Sequence, residues 1–338
     1  MRTKIKNYFF NFVKIFLPLL IGGGLLWYIY KDIEFGRIRE ILNSEIRYGY
    51  LLFSLFFGLT ANTLRGIRWE LLITPLGYKP RKTILTLAVL GSYAVNLVLL
   101  RMGEFWRCGV VAKYEKEPFS KLFGTLLVDR LYDVFSIGCL LLLSFFLSSG
   151  FYFTVFNGRE FGFFGITTGY AIGGGGAILL VIGLIWVLAK RFGHFSFFAR
   201  IKTFFSNVID GFRTIKTMEH KWRFLFYTAG IWFLYFLYFY VTFFAFDFTQ
   251  SLSPALGLAV FVITAISIII PVQGGFGTWH FAATLGLASL GIAHDDAAAF
   301  ALIVHTTQTL WVALIGFGSV LCISVFFKPK EIEKGRKG

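Results

Sequence analysis

Residues 248–294 read FTQSLSPALGLAVFVITAISIIIPVQGGFGTWHFAATLGLASLGIAH and contain no Lys, Arg, Asp or Glu. A single helix of that length would be about 70 Å long, against a hydrocarbon core of roughly 30 Å. The stretch also contains its own interruption. Pro271 ends one apolar arm, Gly274, Gly275 and Gly277 permit a tight turn, and a second arm begins near Thr278. The pattern predicts two short apolar helices joined by a break, not one long helix.

The same character extends outward. Residues 15–30, 48–64, 83–100, 134–158, 161–189, 224–246 and 297–327 are also free of charged side chains. Apolar residues make up 57% of the chain and charged ones 15%, where soluble domains have about 45–50% and about 25%. Mean hydropathy is +0.71. This composition excludes an ordinary soluble enzyme and predicts an all-α, polytopic integral membrane bundle. The longest polar connection, residues 190–223, is too short for a separate catalytic domain. The first apolar run leads into Tyr30-Lys31-Asp32 rather than a small-residue cleavage site, so it reads as a retained helix.

The net charge of +15 lies in short loops between apolar segments. That placement points to an anionic membrane surface and away from nucleic acid. Lys and Arg number four in residues 1–14, five in 65–82, five in 101–121, eight in 190–223 and five in 328–338. The positive-inside rule then predicts both termini and these stretches on the cytoplasmic side of the cell inner membrane, with 31–47 and 148–160 outside. If 65–82 and 101–121 share a side, residues 83–118 enter and return. The matching scheme for 254–292 gives about six full spans and two re-entrant elements. They form an inverted repeat, residues 48–148 and 224–327. The alternative is eight or nine plain spans. Residues 196–218 place Phe197, Ile201, Phe204, Phe205, Val208, Phe212 and Ile215 at helical spacing, which predicts an amphipathic interfacial helix.

Chemistry is expected where polar groups interrupt the apolar runs. Asp129 and Asp133 share a helix face, and Arg130 can pair with Asp133. Two carboxylates and one guanidinium predict a local negative excess, to be balanced by Arg65, Arg68, Arg101 or Arg107. Asn96, Arg101, Gly103, Glu104 and Arg107 mark a break where guanidinium groups could hold a lipid phosphate. Ion-pair locking and headgroup anchoring are the structural alternatives for these two groups. Gln273, Gly274, Gly275, Gly277 and His280 mark the second break, where a helix N-terminus would favour an anion. His305 and Gln308 lie on one face of the last span, placed for helix-to-helix hydrogen bonds. Cys108, Cys139 and Cys322 are isolated, and no His/Cys/Asp grouping has metal-ligand spacing, so no metal and no cofactor is expected.

Arg65-Gly66-Ile67-Arg68-Trp69, Asn96…Arg101-Met102-Gly103-Glu104…Arg107, Asp129-Arg130…Asp133 and Pro271…Gly274-Gly275-Phe276-Gly277 occur in that order. Together they resemble the transmembrane domain of the lysylphosphatidylglycerol synthase family, also called flippase-like, from about residue 10 to 327. The chain departs from the family pattern at Leu100, where proline is usual, and at His280, where an acidic residue is usual. The resemblance implies movement of a lipid between leaflets. It does not imply synthase activity, since the soluble lysine-transferring domain of multidomain members is not found before Gly338. The resulting expectation is a translocator of an anionic phospholipid or lipid-linked headgroup. Arg101, Arg107 and Arg65 would hold phosphate, and Asp129, Arg130 and Asp133 would form switchable pairs. An integral-membrane transferase acting on a lipid-linked substrate is the second reading. A scaffold for a soluble synthase partner, bound through residues 190–223, is the third.

Overall fold

The computed structural model describes residues 20–31, 33, 35–157 and 218–330. Nearly all of the interfacial helix expected at 196–218, and most of the segment read as a partner-docking loop, lie outside these residues. The described chain is helical, with no strand among the described residues. It belongs to a polytopic helical membrane protein. Phe119–Leu147, Lys221–Ala245 and His294–Phe326 are each long and apolar enough to span a bilayer.

In chain order the helices are α1 (Leu20–Tyr30), α2 (Phe35–Glu40), α3 (Tyr48–Ile73), α4 (Lys82–Val98), α5 (Gly103–Glu115), α6 (Phe119–Leu147), α7 (Ser149–Asn157), α8 (Lys221–Tyr240), α9 (Pro254–Ser267), α10 (Thr278–Ala288) and α11 (His294–Phe326). Their ends follow local chemistry. Pro75 and the left-handed Gly77 stop α3, and Pro118 separates α5 from α6. The Ser253 hydroxyl accepts the Leu256 N–H at 3.4 Å and Pro254 opens α9.

Helix α3 corrects one expectation. Residues 65–82 read as a basic loop, yet α3 continues to Ile73 and carries Arg65 and Arg68 inside it, both buried. The helix continues because these side chains find acidic partners on a neighbouring helix. The break expected from Asn96 to Arg107 is also narrower, since α5 already begins at Gly103.

Two helical hairpins organise the bundle. In the first, α4 and α5 return to one end, where the Arg81 Nε meets Glu115 Oε1 at 2.6 Å. In the second, α9 and α10 run antiparallel. A Cβ on Gly286 would lie 3.0 Å from the Val260 side chain, and these two residues are equally far in sequence from Gln273. By helix geometry α4 is about 26 Å long and α5, α9 and α10 about 17–21 Å, all short of the roughly 30 Å hydrocarbon core. The tips of the hairpins touch. Arg101 donates from Nη2 to the Ile269 carbonyl at 2.9 Å, and a Cβ on Gly274 would lie 3.0 Å from the Leu97 side chain.

Longer helices surround the hairpins. Gly66 of α3 packs on the Thr86 backbone of α4, Gly58 of α3 on the Tyr238 ring of α8, and Gly316 of α11 on the Leu90 carbonyl and Ala94 of α4. At one end of the molecule lie the Arg37–Asp296 pair (2.8 Å) and the Arg47–Asp247 pair. At the other, Glu115 is held by Arg81 and, at 2.5 Å, by Lys330. Residues 79–82, 113–116 and 328–330 therefore share an end, and the base of the first hairpin is closed by the segment that follows α11.

Candidate functional site

The strongest concentration of polar chemistry is buried among α3, α5, α6 and α8. Arg65 and Arg68 lie three apart on α3, and Asp129 and Asp133 four apart on α6, so each pair presents one helix face. Arg68 Nη2 reaches Asp129 Oδ1 at 2.6 Å and Asp133 Oδ1 at 2.9 Å, and its Nη1 donates to the Thr228 hydroxyl on α8 at 3.1 Å. Arg65 Nη2 reaches Asp133 Oδ2 at 3.0 Å. Arg107 lies 3.4 Å from Asp129 Oδ2 and 4.5 Å over the Trp69 ring. Arg68 and Asp129 are fully buried, with 0% side-chain exposure.

At the edge, Arg130 meets Asp133 at 3.2 Å and Glu104 at 2.8 Å. Their side chains are 33% (Arg130) and 37% (Glu104) exposed. This pair is the surface opening of an otherwise buried network. Glu104 lies in the first turn of α5, where the helix dipole favours its negative charge.

Four guanidinium groups thus face three carboxylates. The negative excess of Asp129, Arg130 and Asp133 is more than balanced, because three of the four candidate arginines, Arg65, Arg68 and Arg107, converge on the two aspartates. Arg101 does not join them; it is exposed and bonds the second hairpin tip instead. The buried Nε atoms of Arg65, Arg68 and Arg107 have no hydrogen-bond partner among the described residues. Leaving such donors unmade costs about 1–3 kcal/mol each, and more for charged groups.

The other sequence-predicted residues form the two tips. The Asn96 Oδ1 accepts the Gly103 N–H at 2.7 Å, bridging the break between α4 and α5. A Cβ on Gly103 would collide with the Ser92 carbonyl oxygen, so close backbone approach requires glycine there. In the second tip Gly274, Gly275 and Gly277 have φ values of 61°, 75° and 84°. His305 Nε2 lies 3.0 Å from the Gly274 carbonyl, and the His280 Nδ1 accepts the Gly277 N–H at 3.4 Å. The two imidazoles are both buried, with ring centres 4.5 Å apart. Gln273 is half-buried. Gln308 donates to the Tyr238 carbonyl on α8 at 3.1 Å.

Several contributors were not singled out from the sequence. Tyr235 donates to Asn62 at 2.6 Å and meets the Tyr93 hydroxyl at 3.2 Å, and Tyr93 accepts from Arg65 at 3.3 Å. Trp69 donates to Thr125 at 3.0 Å. The available signal was the presence of Asn62 and Tyr93 inside otherwise apolar helices. No group of three or more His, Cys, Asp or Glu able to hold a metal occurs among the described residues.

The buried arginines, paired aspartates and glycine tip belong to motifs whose order spans most of the chain. A family model described as the lysylphosphatidylglycerol synthase TM region matches residues 15–316. The chain belongs to this family. It is 23% identical over 321 residues to the UPF0104 membrane protein of Methanocaldococcus jannaschii, covering 89% of this chain and 90% of that protein. It is also 36% identical over 75 residues to the glycosyltransferase AglD of Haloferax volcanii, covering 22% of this chain and 12% of AglD. No solved structure matches. As a member of the lysylphosphatidylglycerol synthase TM family, the protein has a membrane part with a lipid-related role.

Proposed function

We propose that the protein translocates an anionic phospholipid or lipid-linked headgroup between the leaflets of the cell inner membrane. The observation that carries this reading is the meeting of two short hairpins, tip to tip, beside a buried network with excess guanidinium charge. We read the hairpins as re-entrant elements of an inverted repeat. The support is the order of parts: α3, hairpin, α6, then α8, hairpin, α11, with the two hairpin bases at opposite ends of the bundle. A charged headgroup is costly to carry through hydrocarbon. The half-exposed Arg130–Glu104 pair offers it a polar opening, and phosphate competes with Glu104 for Arg130. The basic end of the bundle is then cytoplasmic.

A leaflet-exchange assay tests this. Vesicles containing the full chain and phosphatidylglycerol labelled on its headgroup are treated with a reagent that destroys only outer label. The protein is expected to make the inner label reachable, and Arg130→Gln to slow that exchange about tenfold or more. Equal exchange with and without the protein would sink the proposal.

Transfer to a lipid-linked acceptor is the second reading, favoured by the local likeness to AglD. It requires a carboxylate free to act as base, whereas Asp129 and Asp133 are each held by arginines. Release of a labelled group from a lipid-linked donor by the purified chain would favour this second reading.

A further inference from the structure

Away from the buried network, α5 and α11 leave a groove of about 350 Å³ lined by Trp106, Gly109, Val110, Lys113, Val320 and Ser324, among others. That volume falls in the roughly 300–1,000 Å³ range of small-ligand sites. The sequence builds it by omission. The outer edge of the Trp106 indole rests against Gly91, where a Cβ would come within 2.6 Å of it. A Cβ on Gly109 would meet nothing within 4 Å, so glycine leaves the floor open.

The groove has an apolar body and a charged rim. Lys113, one turn beyond Gly109 on α5, is exposed, with its Nζ 5.5 Å from the Tyr114 ring. No carboxylate among the described residues pairs with it. The Tyr114 carbonyl accepts from Arg81 at 3.1 Å and from the Lys330 N–H at 2.9 Å, so the rim adjoins the basic end of the bundle. On α11, Leu310, Leu314, Phe317, Leu321 and Val325 are exposed in one helical stripe, the face such a helix turns to lipid.

We propose that this groove binds an anionic phospholipid from the surrounding bilayer, with an acyl chain against Trp106 and Val320 and its phosphate on Lys113. The charge argues for the occupant: a lone exposed ammonium at the end of an apolar slot complements a lipid phosphate. The site rests on the membrane character of the chain and not on translocation, so either can fail while the other stands.

The test uses the purified full chain in phosphatidylcholine nanodiscs doped with brominated phosphatidylglycerol or brominated phosphatidylcholine. The readout is quenching that depends on Trp106, taken as the difference between the wild-type chain and Trp106→Phe. Phosphatidylglycerol is expected to quench at about fivefold lower mole fraction, since one basic residue near the surface is worth about 1 kcal/mol. Gly109→Leu should abolish this selective quenching. Lys113→Gln should keep the quenching and lose the preference. Should Gly109→Leu fail to fold, Ser324→Leu fills the slot from the opposite wall and gives the same readout. Equal quenching by both lipids, or undiminished selective quenching in the filled variants, overturns the site.

Discussion

At the tip of the first hairpin the chain turns through Arg101 at φ 56°, with Asn96 reaching across to hold the Gly103 amide. At the tip of the second it turns through three glycines at positive φ, with two histidines closing over the backbone. The first hairpin is flanked by full charges on α3 and α6 and fastened at its base by Glu115. The second is packed among aromatic rings and small residues, with the Gly22 and Gly277 backbones in close approach. One hairpin is held by electrostatic pairing, the other by steric fit. Close packing matters in both, since a Cβ on Gly103 would strike the Ser92 carbonyl, but only the first also breaks when a charge loses its partner.

The largest effect is expected at the charged side. Asp129→Leu leaves Arg68 and Arg107 buried without that carboxylate. Breaking a buried pair costs about 3–5 kcal/mol. The variant should melt far below the wild type in a detergent thermal scan, or fail to give a monodisperse peak. A melting point unchanged by Asp129→Leu would mean that the first hairpin does not depend on pairing. Next comes Gly277→Ala on the steric side. It combines a positive φ with a methyl group driven onto the Gly22 carbonyl, for about 1–3 kcal/mol of backbone strain plus the clash. Added salt should not restore it, whereas surface pairs of the other region respond to salt. The smallest effect sharpens the contrast at the tips. Arg101→Gly removes about 1–2 kcal/mol of left-handed strain and one bond to the Ile269 carbonyl, so stability should change by less than about 1 kcal/mol. Lipid exchange should nevertheless fall, because the two tips lose the one side-chain hydrogen bond that joins them among the described residues.

Much of this arrangement was legible in the sequence, and for identifiable reasons. Charge-free runs and the Pro271–Gly277 interruption placed α4, α9 and α10 closely, since chain breakers act locally. The Asp129, Arg130 and Asp133 grouping was visible because charge is rare inside apolar helices. The partners of those aspartates were named only as a set of candidates. Spacing along α3 and α5 says which residues share a face, but not which face turns toward α6. Arg65 and Arg68 were read into a loop because an apolar window ends at the first charge, while a helix whose charges are paired inside the bundle does not. The tyrosine network of Tyr93 and Tyr235 was missed, because an aromatic residue in a membrane helix is ordinarily read as packing or interface. The Arg81–Glu115–Lys330 contact was missed for a different reason: it joins three segments far apart in the chain, and nothing local marks it.

That contact sets a practical boundary for anyone handling the protein. Glu115 is wholly enclosed, and Lys330 supplies one of its two counter-charges while also donating to the Lys79 carbonyl at 3.0 Å. An affinity tag or reporter should therefore be fused downstream of Lys330, behind a spacer. A truncation at Phe326, although it spares every transmembrane residue, would unlatch the first hairpin and yield a preparation whose inactivity says nothing about the lipid path.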